Sequence, residues 1–172
     1  MKIIDELLNN KATKPKDKTE LIAKWIIDKT INIDELIKFA KVAKDSPKAT
    51  CIEALEHASL SNPEITNLKT LEFVTQNLLH KAPRVKWESA RVIGNIAHLY
   101  TDKLNDAICN LLTNTEDKGT VVRWSAAFAL GQILKLKTKH NKELLPSIEG
   151  IIAREEKNSI KKIYLDALKK LK

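Results

Sequence analysis

Residue types that carry catalytic or metal chemistry are present in this 172-residue chain, but they are scattered. The four histidines stand at positions 57, 80, 98 and 140, without the spacing of metal ligands. No Gly-rich phosphate loop, nucleophile elbow or His-Glu-x-x-His motif occurs. We therefore expect no catalytic residue, no bound metal and no cofactor, and a binding protein rather than an enzyme.

Aromatic and basic side chains recur at matching positions in two tracts of the chain, and these are the candidate binding residues. On a helical wheel of about 100° per residue, one face of the first tract carries Trp87, Arg91, Asn95 and His98. The equivalent face of the second tract carries Trp124, Phe128, Gln132 and Lys135. Rings beside cations suit a peptide with acidic and apolar side chains, or unstacked bases and phosphates. The predicted partner-binding set is Trp87, Arg91, Trp124, Phe128 and Lys135.

Some of these features also have purely structural explanations. Trp87 and Trp124 are compatible with packing against each other between neighbouring units, because large rings at such contacts are usually structural. His57 is more typical of a core or interface residue than of a metal ligand. Both alternatives remain open from the sequence.

The formal net charge of +8 is unevenly distributed along the chain. Residues 135–172 contain 11 basic and 5 acidic side chains, an excess of +6, whereas residues 45–134 contain 9 and 10. Most of the basic residues are lysines, which are well solvated on helix surfaces. Protein or peptide binding is thus the favoured function, and nucleic-acid binding through the basic C-terminal region is the alternative.

The cysteines and the absence of long apolar segments indicate the cellular compartment of the protein. Cys51 and Cys109 are far apart in apolar helical patterns, which argues against a disulfide framework or a zinc site. The first residues include acids where a signal peptide needs an unbroken apolar run. No stretch approaches the ~18 apolar residues of a membrane span. We expect a soluble, cytoplasmic protein that does not bind a membrane.

The elements that must position the candidate residues are helices. Apolar residues recur at i, i+3, i+4 and i+7 nearly throughout, and only 4 glycines interrupt the chain. After a short first helix and a loop at 9–16, the pattern predicts helices at about 17–29, 32–44, 47–60, 63–80, 83–100, 102–114, 119–136, 141–156 and 159–171.

Internal repetition organises these helices. The segment from Pro83 reads PRVKWESARVIGNIA and the segment from Thr120 reads TVVRWSAAFALGQIL, a shift of 37 residues. This shift aligns two of the three tryptophans and two of the four glycines. Weaker copies lie about one period upstream and one downstream. Because a lone helix pair cannot bury its apolar stripe, stacked pairs sharing one core are expected.

The tract Val-Arg-x-x-Ala-Ala-x-Ala-Leu-Gly-x-Ile at 122–133 resembles the second helix of a HEAT repeat. Leu144-Leu145-Pro146-Ser147-Ile148 resembles the first helix of such a repeat. The resemblance covers about residues 32–172 and implies an all-α, right-handed α-α superhelix of about four HEAT-like helix pairs plus N-terminal helices. Within one domain, 1–172, the predicted repeats are about 32–60, 63–100, 102–136 and 141–171, and 1–31 form an N-terminal cap.

The family also implies roles for particular positions. HEAT proteins are mostly scaffolds whose second helices line a concave binding surface, which would place the candidate set in a groove. A basic residue at the position of Lys86, Arg123 and Lys161 often joins an internal ladder with acids of neighbouring loops, here Asp102 and Asp117. Some HEAT-like proteins are DNA glycosylases that excise alkylated bases, and the match to their acid beside aromatic rings would be Asp166 with Trp124 and Phe128.

Two glycines are predicted to serve packing rather than chain flexibility. Gly94 and Gly131 occupy equivalent positions beside small residues, where one repeat approaches the next. A larger residue at either position is expected to overpack the contact by about 1–3 kcal/mol.

Overall fold

The structure is a computed structural model that describes residues 2–171, and this part of the chain contains ten α-helices and no strand. In chain order the helices are α1 (Lys2–Asn9), α2 (Pro15–Ile27), α3 (Ile33–Val42), α4 (Asp45–Ser61), α5 (Leu68–Asn77), α6 (Pro83–Ile96), α7 (Asn105–Asn114), α8 (Thr120–Lys135), α9 (Asn141–Arg154) and α10 (Asn158–Lys169). Short 3-10 turns occupy Pro63–Ile65, Ala97–Leu99 and Thr101–Lys103.

The helices form two stacked layers. The even-numbered helices contact one another in the order α2, α4, α6, α8, α10, and these are the most extensive contacts in the molecule. The odd-numbered helices pack on their even-numbered partners, and α3, α5 and α7 also contact one another in sequence. This arrangement is an α-helical solenoid, and it confirms the predicted fold class. The N-terminal helices α1 and α2 continue the stack, because α2 packs along α4.

The hydrophobic core runs without interruption between the two layers of helices. Small residues allow the even-numbered helices to approach closely, and Ala126, Ala127 and Ala129 of α8 are all fully buried. In the layer of odd-numbered helices, asparagine side chains of α7 bond to the C-terminal end of α5. Asn110 Nδ2 donates to the Thr75 carbonyl at 3.1 Å, and Asn114 Nδ2 donates to the Leu78 carbonyl at 2.9 Å. These bonds attach α7 to carbonyls at the C-terminal end of α5, where helix carbonyls have spare accepting capacity.

Several helix ends differ from the sequence prediction, and the differences in three regions have clear local causes. The helix predicted from residue 63 begins at Leu68, because Asn67 and Thr70 form a reciprocal capping box there and Pro63–Ile65 form a 3-10 turn. The helix predicted to residue 100 leaves α geometry after Ile96. The predicted loop at 9–16 is shorter, because α1 extends to Asn9 and α2 begins at Pro15, a residue suited to the first turn.

Candidate functional site

The candidate residues lie on α6 and α8, where each helix meets its neighbours in the even-numbered layer. Asn95 Nδ2 donates to the Glu56 carbonyl at 3.2 Å and to Ser59 Oγ at 3.1 Å. Together with Arg84, Glu88 and Arg91, Asn95 follows the i, i+4, i+7, i+11 spacing of a single helix face. This polar stripe of α6 is directed towards α4.

Charged residues fill the contact between α4 and α6. We call the set Glu53, Glu56, Arg84, Glu88 and Arg91 the acid–arginine cluster. Arg84 Nη2 lies 2.6 Å from Glu53 Oε2, which also accepts a hydrogen bond from Thr19 of α2 at 2.9 Å. Glu53 Oε2 therefore has two partners, and this end of the cluster joins three successive helices of the layer.

Glu56 and Glu88 share the second arginine of the cluster. Arg91 Nη2 lies 2.9 Å from Glu56 Oε1, and Arg91 Nη1 lies 3.7 Å from Glu88 Oε2. Both glutamates are buried, at 2% and 4% exposure, whereas the Arg91 side chain is 36% exposed. Arg91 therefore covers two buried carboxylates from the solvent side.

One oxygen of each buried glutamate has no hydrogen-bond partner. Glu56 Oε2 and Glu88 Oε2 are both inaccessible to solvent, and the distance of 3.7 Å from Arg91 Nη1 to Glu88 Oε2 is that of an ion pair without a hydrogen bond. The other nearby cation is His57, whose Nε2 lies 3.8 Å from Glu56 Oε2 and which contributes charge only when protonated. Buried polar atoms without partners are uncommon in native proteins and mark strained or functional positions.

Trp87 lies beside this cluster and is attached to it. Its indole Nε1 donates to Glu88 Oε1 at 2.7 Å, and the ring remains half-buried. Burial raises the pKa of Glu88 above its ordinary value, and the neighbouring acids Glu53 and Glu56 add to this shift, against the bond from Trp87 and the charge of Arg91. Glu88 therefore holds its proton more tightly than a solvated glutamate.

The next helix contact along the stack is apolar. Trp124 and Phe128 of α8, which we call the aromatic pair, stack in parallel with ring centroids 6.1 Å apart and an interplanar angle of 1°. Trp124 is 40% exposed. The Phe128 ring lies over Gly94 of α6, where an added Cβ would overlap Phe128 Cε1 and come within 2.8 Å of Cδ1. Gly94 thus provides the space that the ring occupies.

The predicted binding residues have different surroundings in the structure. Trp87 and Arg91 belong to the contact between α4 and α6, and Trp124 and Phe128 lie on the neighbouring helix against Gly94. Lys135 is exposed at the end of α8, two turns beyond Phe128. Trp124 stacks on Phe128 of its own helix, and the indole N–H of Trp87 is bonded to Glu88.

The sequence reasoning missed the buried acids. A signal for Glu56 exists, because it stands within the otherwise small and apolar stretch Ala54-Leu55-Glu56-His57-Ala58 of a helix that must be buried on several sides. Glu88 does not belong to the face of the helical wheel that carries Trp87, Arg91, Asn95 and His98. A helical wheel describes a single helix and does not show where the neighbouring helix packs. The packing of that neighbour decides which polar residues are buried.

The predicted basic ladder is present at two of its positions. Lys86 Nζ lies 2.8 Å from Asp117 Oδ2, and Arg123 Nε lies 2.9 Å from Glu155 Oε2. Burial alone would raise the pKa of Asp117, but hydrogen bonds from Lys86 and from the Gly119 backbone N–H lower it. These ion pairs join helix starts to neighbouring loops.

Asp102, the other proposed ladder partner, is an exception. It pairs with Lys139 at 3.4 Å on the surface instead of with a ladder residue. Its side chain is 83% exposed, so this pair is expected to contribute little to stability.

Asp166, the acid of the glycosylase alternative, is exposed on α10 and pairs with Lys169 of the same helix at 3.4 Å. Within residues 2–171 no group of three or more His, Cys, Asp or Glu side chains is placed to hold a metal ion. No helix in this range has the length and apolar character needed to cross a membrane.

Comparison with known proteins supports the fold. No protein-family model and no curated protein matches the sequence. Among solved structures, the designed armadillo repeat protein YIII(Dq)4CqI is 16% identical, with a TM-score of 0.73 over 98% of this chain and 81% of its own. The designed protein YIII(Dq.V1)4CPAF, in complex with the peptide (KR)4, is 20% identical, with a TM-score of 0.73 over 98% and 80%.

A third structure gives the same result. An engineered protein is 17% identical, with a TM-score of 0.77 over 98% of this chain and 79% of its own. Since each match covers nearly the whole chain at low identity, the similarity concerns the path of the backbone. The protein is an α-helical repeat solenoid with an armadillo-like fold.

Proposed function

We propose that this protein is a HEAT-like scaffold that binds an extended peptide segment of a partner protein along α4, α6 and α8. The supporting observation is that α8 carries an exposed Trp124 stacked on Phe128, while the neighbouring helix α6 carries a half-buried Trp87 and a partly exposed Arg91. Tryptophan and arginine are among the residue types that dominate the binding energy of protein interfaces. The set Trp87, Arg91, Trp124, Phe128 and Lys135 is proposed as the contact surface.

The assignment to HEAT-like repeats rests on the two-helix unit and its period. The helices α4, α6, α8 and α10 begin at residues 45, 83, 120 and 158, so successive units are 38, 37 and 38 residues apart. Pro146 lies inside α9, as in the first helix of a HEAT repeat. The predicted repeats, the N-terminal cap and the concave character of the surface are part of this proposal.

The proposal also includes the location of the protein and a non-catalytic role. A cytoplasmic location agrees with two free cysteines, and burial raises the pKa of the Cys51 thiol to about 12, which makes it unreactive at neutral pH. A non-catalytic role agrees with the structural similarity to designed repeat proteins.

The test is selection of peptides from a random 12-residue display library on the wild-type protein, followed by affinity measurements on variants. Trp124→Ala and Phe128→Ala are expected to weaken binding of selected peptides about tenfold or more, because each removes a large interface ring. Leu68→Ala is the matched control, since Leu68 is 41% exposed on the other layer. Circular dichroism establishes that each variant is folded.

Equal binding by the Trp124, Phe128 and Leu68 variants would contradict the proposed surface. The nucleic-acid alternative is tested in parallel with duplex and single-stranded probes over a salt series. It predicts an affinity that falls steeply with salt, since phosphate contacts release counterions. Peptide binding through the aromatic pair predicts a much weaker dependence on salt.

A further inference from the structure

The groove between α3 and α5, in the odd-numbered layer, contains a small cavity of about 190 Å³. Ile37 and Phe73 line it and are 4% and 2% exposed, so its base is apolar. Pockets that take whole small molecules are larger, at about 300–1,000 Å³. The size of this cavity suits a single large side chain.

Lysines surround the cavity, and two of them have no acidic partner. Lys38 and Lys41 of α3 and Lys69 of α5 all line it. Lys69 forms an ion pair with Asp34, and hydrogen bonds from Lys69 and Asn67 hold the pKa of Asp34 below its ordinary value. Within residues 2–171, Lys38 and Lys41 are exposed and form no ion pair. The groove therefore has an excess of positive charge.

The other two grooves of the odd-numbered layer differ in charge. The cavity between α5 and α7 is lined by Lys103 together with Glu72 and Asp106, so its acids outnumber its cation. The cavity between α7 and α9 is lined by Lys139, His140 and Glu143, and Lys139 is paired with Asp102. Excess positive charge is thus a property of the first groove and not of the layer.

The groove ends at an edge of the solenoid that exposes apolar side chains. Val42, the last residue of α3, is 87% exposed, and Leu79, in the connection between α5 and α6, is 54% exposed. Asp45 holds the two connections together, because its carboxylate lies 3.7 Å from His80 Nε2 and 3.8 Å from Lys81 Nζ. Val42 and Leu79 therefore belong to one surface.

This edge is also basic. Burial lowers the pKa of His80, and the charges of Lys48 and Lys81 lower it further, against the opposing charge of Asp45. The cations around the imidazole thus outweigh the acid. The positive charge of the groove continues along the edge beside the exposed apolar residues.

We propose that the groove between α3 and α5, with Lys38, Lys41 and Val42 at its rim, binds an acidic segment of a partner protein that carries a large apolar side chain. The apolar side chain enters the cavity, and neighbouring carboxylates pair with the two lysines. Complementary charge of this kind directs association and selects the partner. This surface is a second interface, separate from the contact surface proposed on α6 and α8, and does not depend on it.

The test uses three fluorescein-labelled peptides of 12 residues, each with three copies of a four-residue unit. The units are Glu-Phe-Glu-Ser, Gln-Phe-Gln-Ser and Glu-Ser-Glu-Ser, so the second peptide lacks the charge and the third lacks the ring. Fluorescence anisotropy measures their affinities for the wild type and for two double variants. Lys38→Gln with Lys41→Gln changes the groove. Lys103→Gln with Lys142→Gln is the matched control, because both of these lysines are exposed on the same layer away from it.

We expect the Glu-Phe peptide to bind the wild type about tenfold or more tightly than either of the other peptides, because each of them lacks one of the two contributions. The Lys38/Lys41 variant is expected to weaken this binding about tenfold, and the Lys103/Lys142 variant less than about twofold. Val42→Ser should weaken it as well, whereas Leu165→Ser, at an exposed position of α10, should not. Circular dichroism at the assay temperature establishes folding.

Several results would overturn this interface. These are equal loss of affinity in the two double variants, equal binding of the Glu-Phe and Gln-Phe peptides, or failure of the Glu-Phe peptide to bind. Binding of that peptide that is weakened by Trp124→Ala but not by the Lys38/Lys41 variant would also overturn it, while supporting the proposed function. Vesicles of phosphatidylcholine and phosphatidylserine are a further probe. If the lysines are needed for vesicle binding and the Glu-Phe peptide does not bind, an acidic protein partner is excluded.

Discussion

The contact between α4 and α6 and the contact between α6 and α8 join equivalent helices of successive units, yet they are built from opposite chemistry. In the first, Arg91 lies between Glu56 and Glu88, and one buried oxygen of each glutamate has no hydrogen-bond partner. In the second, the Phe128 ring fills the space over Gly94. One contact is charged and incompletely satisfied, and the other is apolar and closely packed.

The difference separates a contact that stabilises the solenoid from one that adds little to its stability. Close apolar packing gains dispersion and hydrophobic energy without any unmet polar group. A buried acid pair with one shared cation contributes little net stability, because the desolvation penalty offsets the attraction. Each unit of a repeat protein contacts only its neighbours. One contact between units can therefore be charged while the next is apolar.

Arg91→Ala tests the charged contact most strongly. It leaves two carboxylates buried without their shared cation, and we expect the free energy of unfolding to fall by about 2–3 kcal/mol, less than for a fully buried pair because Arg91 is partly exposed. Urea denaturation measures this loss. Arg154→Ala, which breaks an exposed pair with Glu116, is the control and should cost less than about 1 kcal/mol.

A loss below about 0.5 kcal/mol for Arg91→Ala would mean that the charges are solvated in solution. Adding Glu56→Gln and Glu88→Gln to the Arg91 variant should recover most of the stability, since no uncompensated charge then remains.

The two matched glycines test the apolar contact and are expected to respond with opposite sign. At Gly94 a methyl group overlaps the Phe128 ring, and the overpacking exceeds the helix-propensity gain of about 1 kcal/mol, so Gly94→Ala should destabilise by about 1 kcal/mol. At Gly131 the added Cβ would lie 3.5 Å from Ile163 Cγ2 and 3.6 Å from Ala167 Cβ, which is ordinary contact.

Gly131→Ala should therefore stabilise the protein, by up to about 1 kcal/mol. This corrects the expectation that both glycines are needed equally for close packing. Thermal and urea denaturation of the two variants provide the measurement. Destabilisation of similar size in both would show that the Phe128 ring does not distinguish the two positions.

The smallest expected effect is the pH dependence contributed by Glu88. Because burial raises its pKa in the folded protein, Glu88 stabilises the fold most below its ordinary pKa near 4.5, and this contribution is lost as the pH rises through the folded pKa. Glu88→Gln should therefore unfold at a higher urea concentration than the wild type at pH 8 and show no such gain near pH 4. A gain of the same size at both pH values would exclude titration of Glu88 as the cause.

The repeats could be predicted from the sequence because tryptophan and glycine recur in register across 37 residues. Such a pattern shows which residues of each unit are equivalent. It does not show which residues of the next unit they contact, and Gly94 and Gly131 have different neighbours although their positions match. The aromatic residues could be predicted because they stand at matching positions of the repeats. The burial of Glu56 and Glu88 could not be predicted, because it depends on how α4 packs against α6.

The start of α5 shows a second limit. Pro63 is a strong local signal for a helix start, yet the α-helix begins at Leu68, where Asn67 and Thr70 cap each other. Asn67 Nδ2 also donates to Asp34 Oδ1 of α3 at 2.8 Å. This bond joins residues 33 positions apart, and no local pattern in the sequence contains it.

The indole N–H signals of the three tryptophans provide the most direct measurement of the central claim, that the partner binds across α4, α6 and α8. In a 1H–15N titration with a peptide from the library selection, the Trp87 and Trp124 signals should both shift, because both rings belong to the proposed contact surface. Trp25 on α2 serves as the internal control, and single Trp→Phe variants assign the three signals. Shifts of Trp87 and Trp124 with Trp25 unchanged are the predicted result; a shift of Trp25 as large as theirs, or three unchanged signals at saturating peptide, would contradict the account.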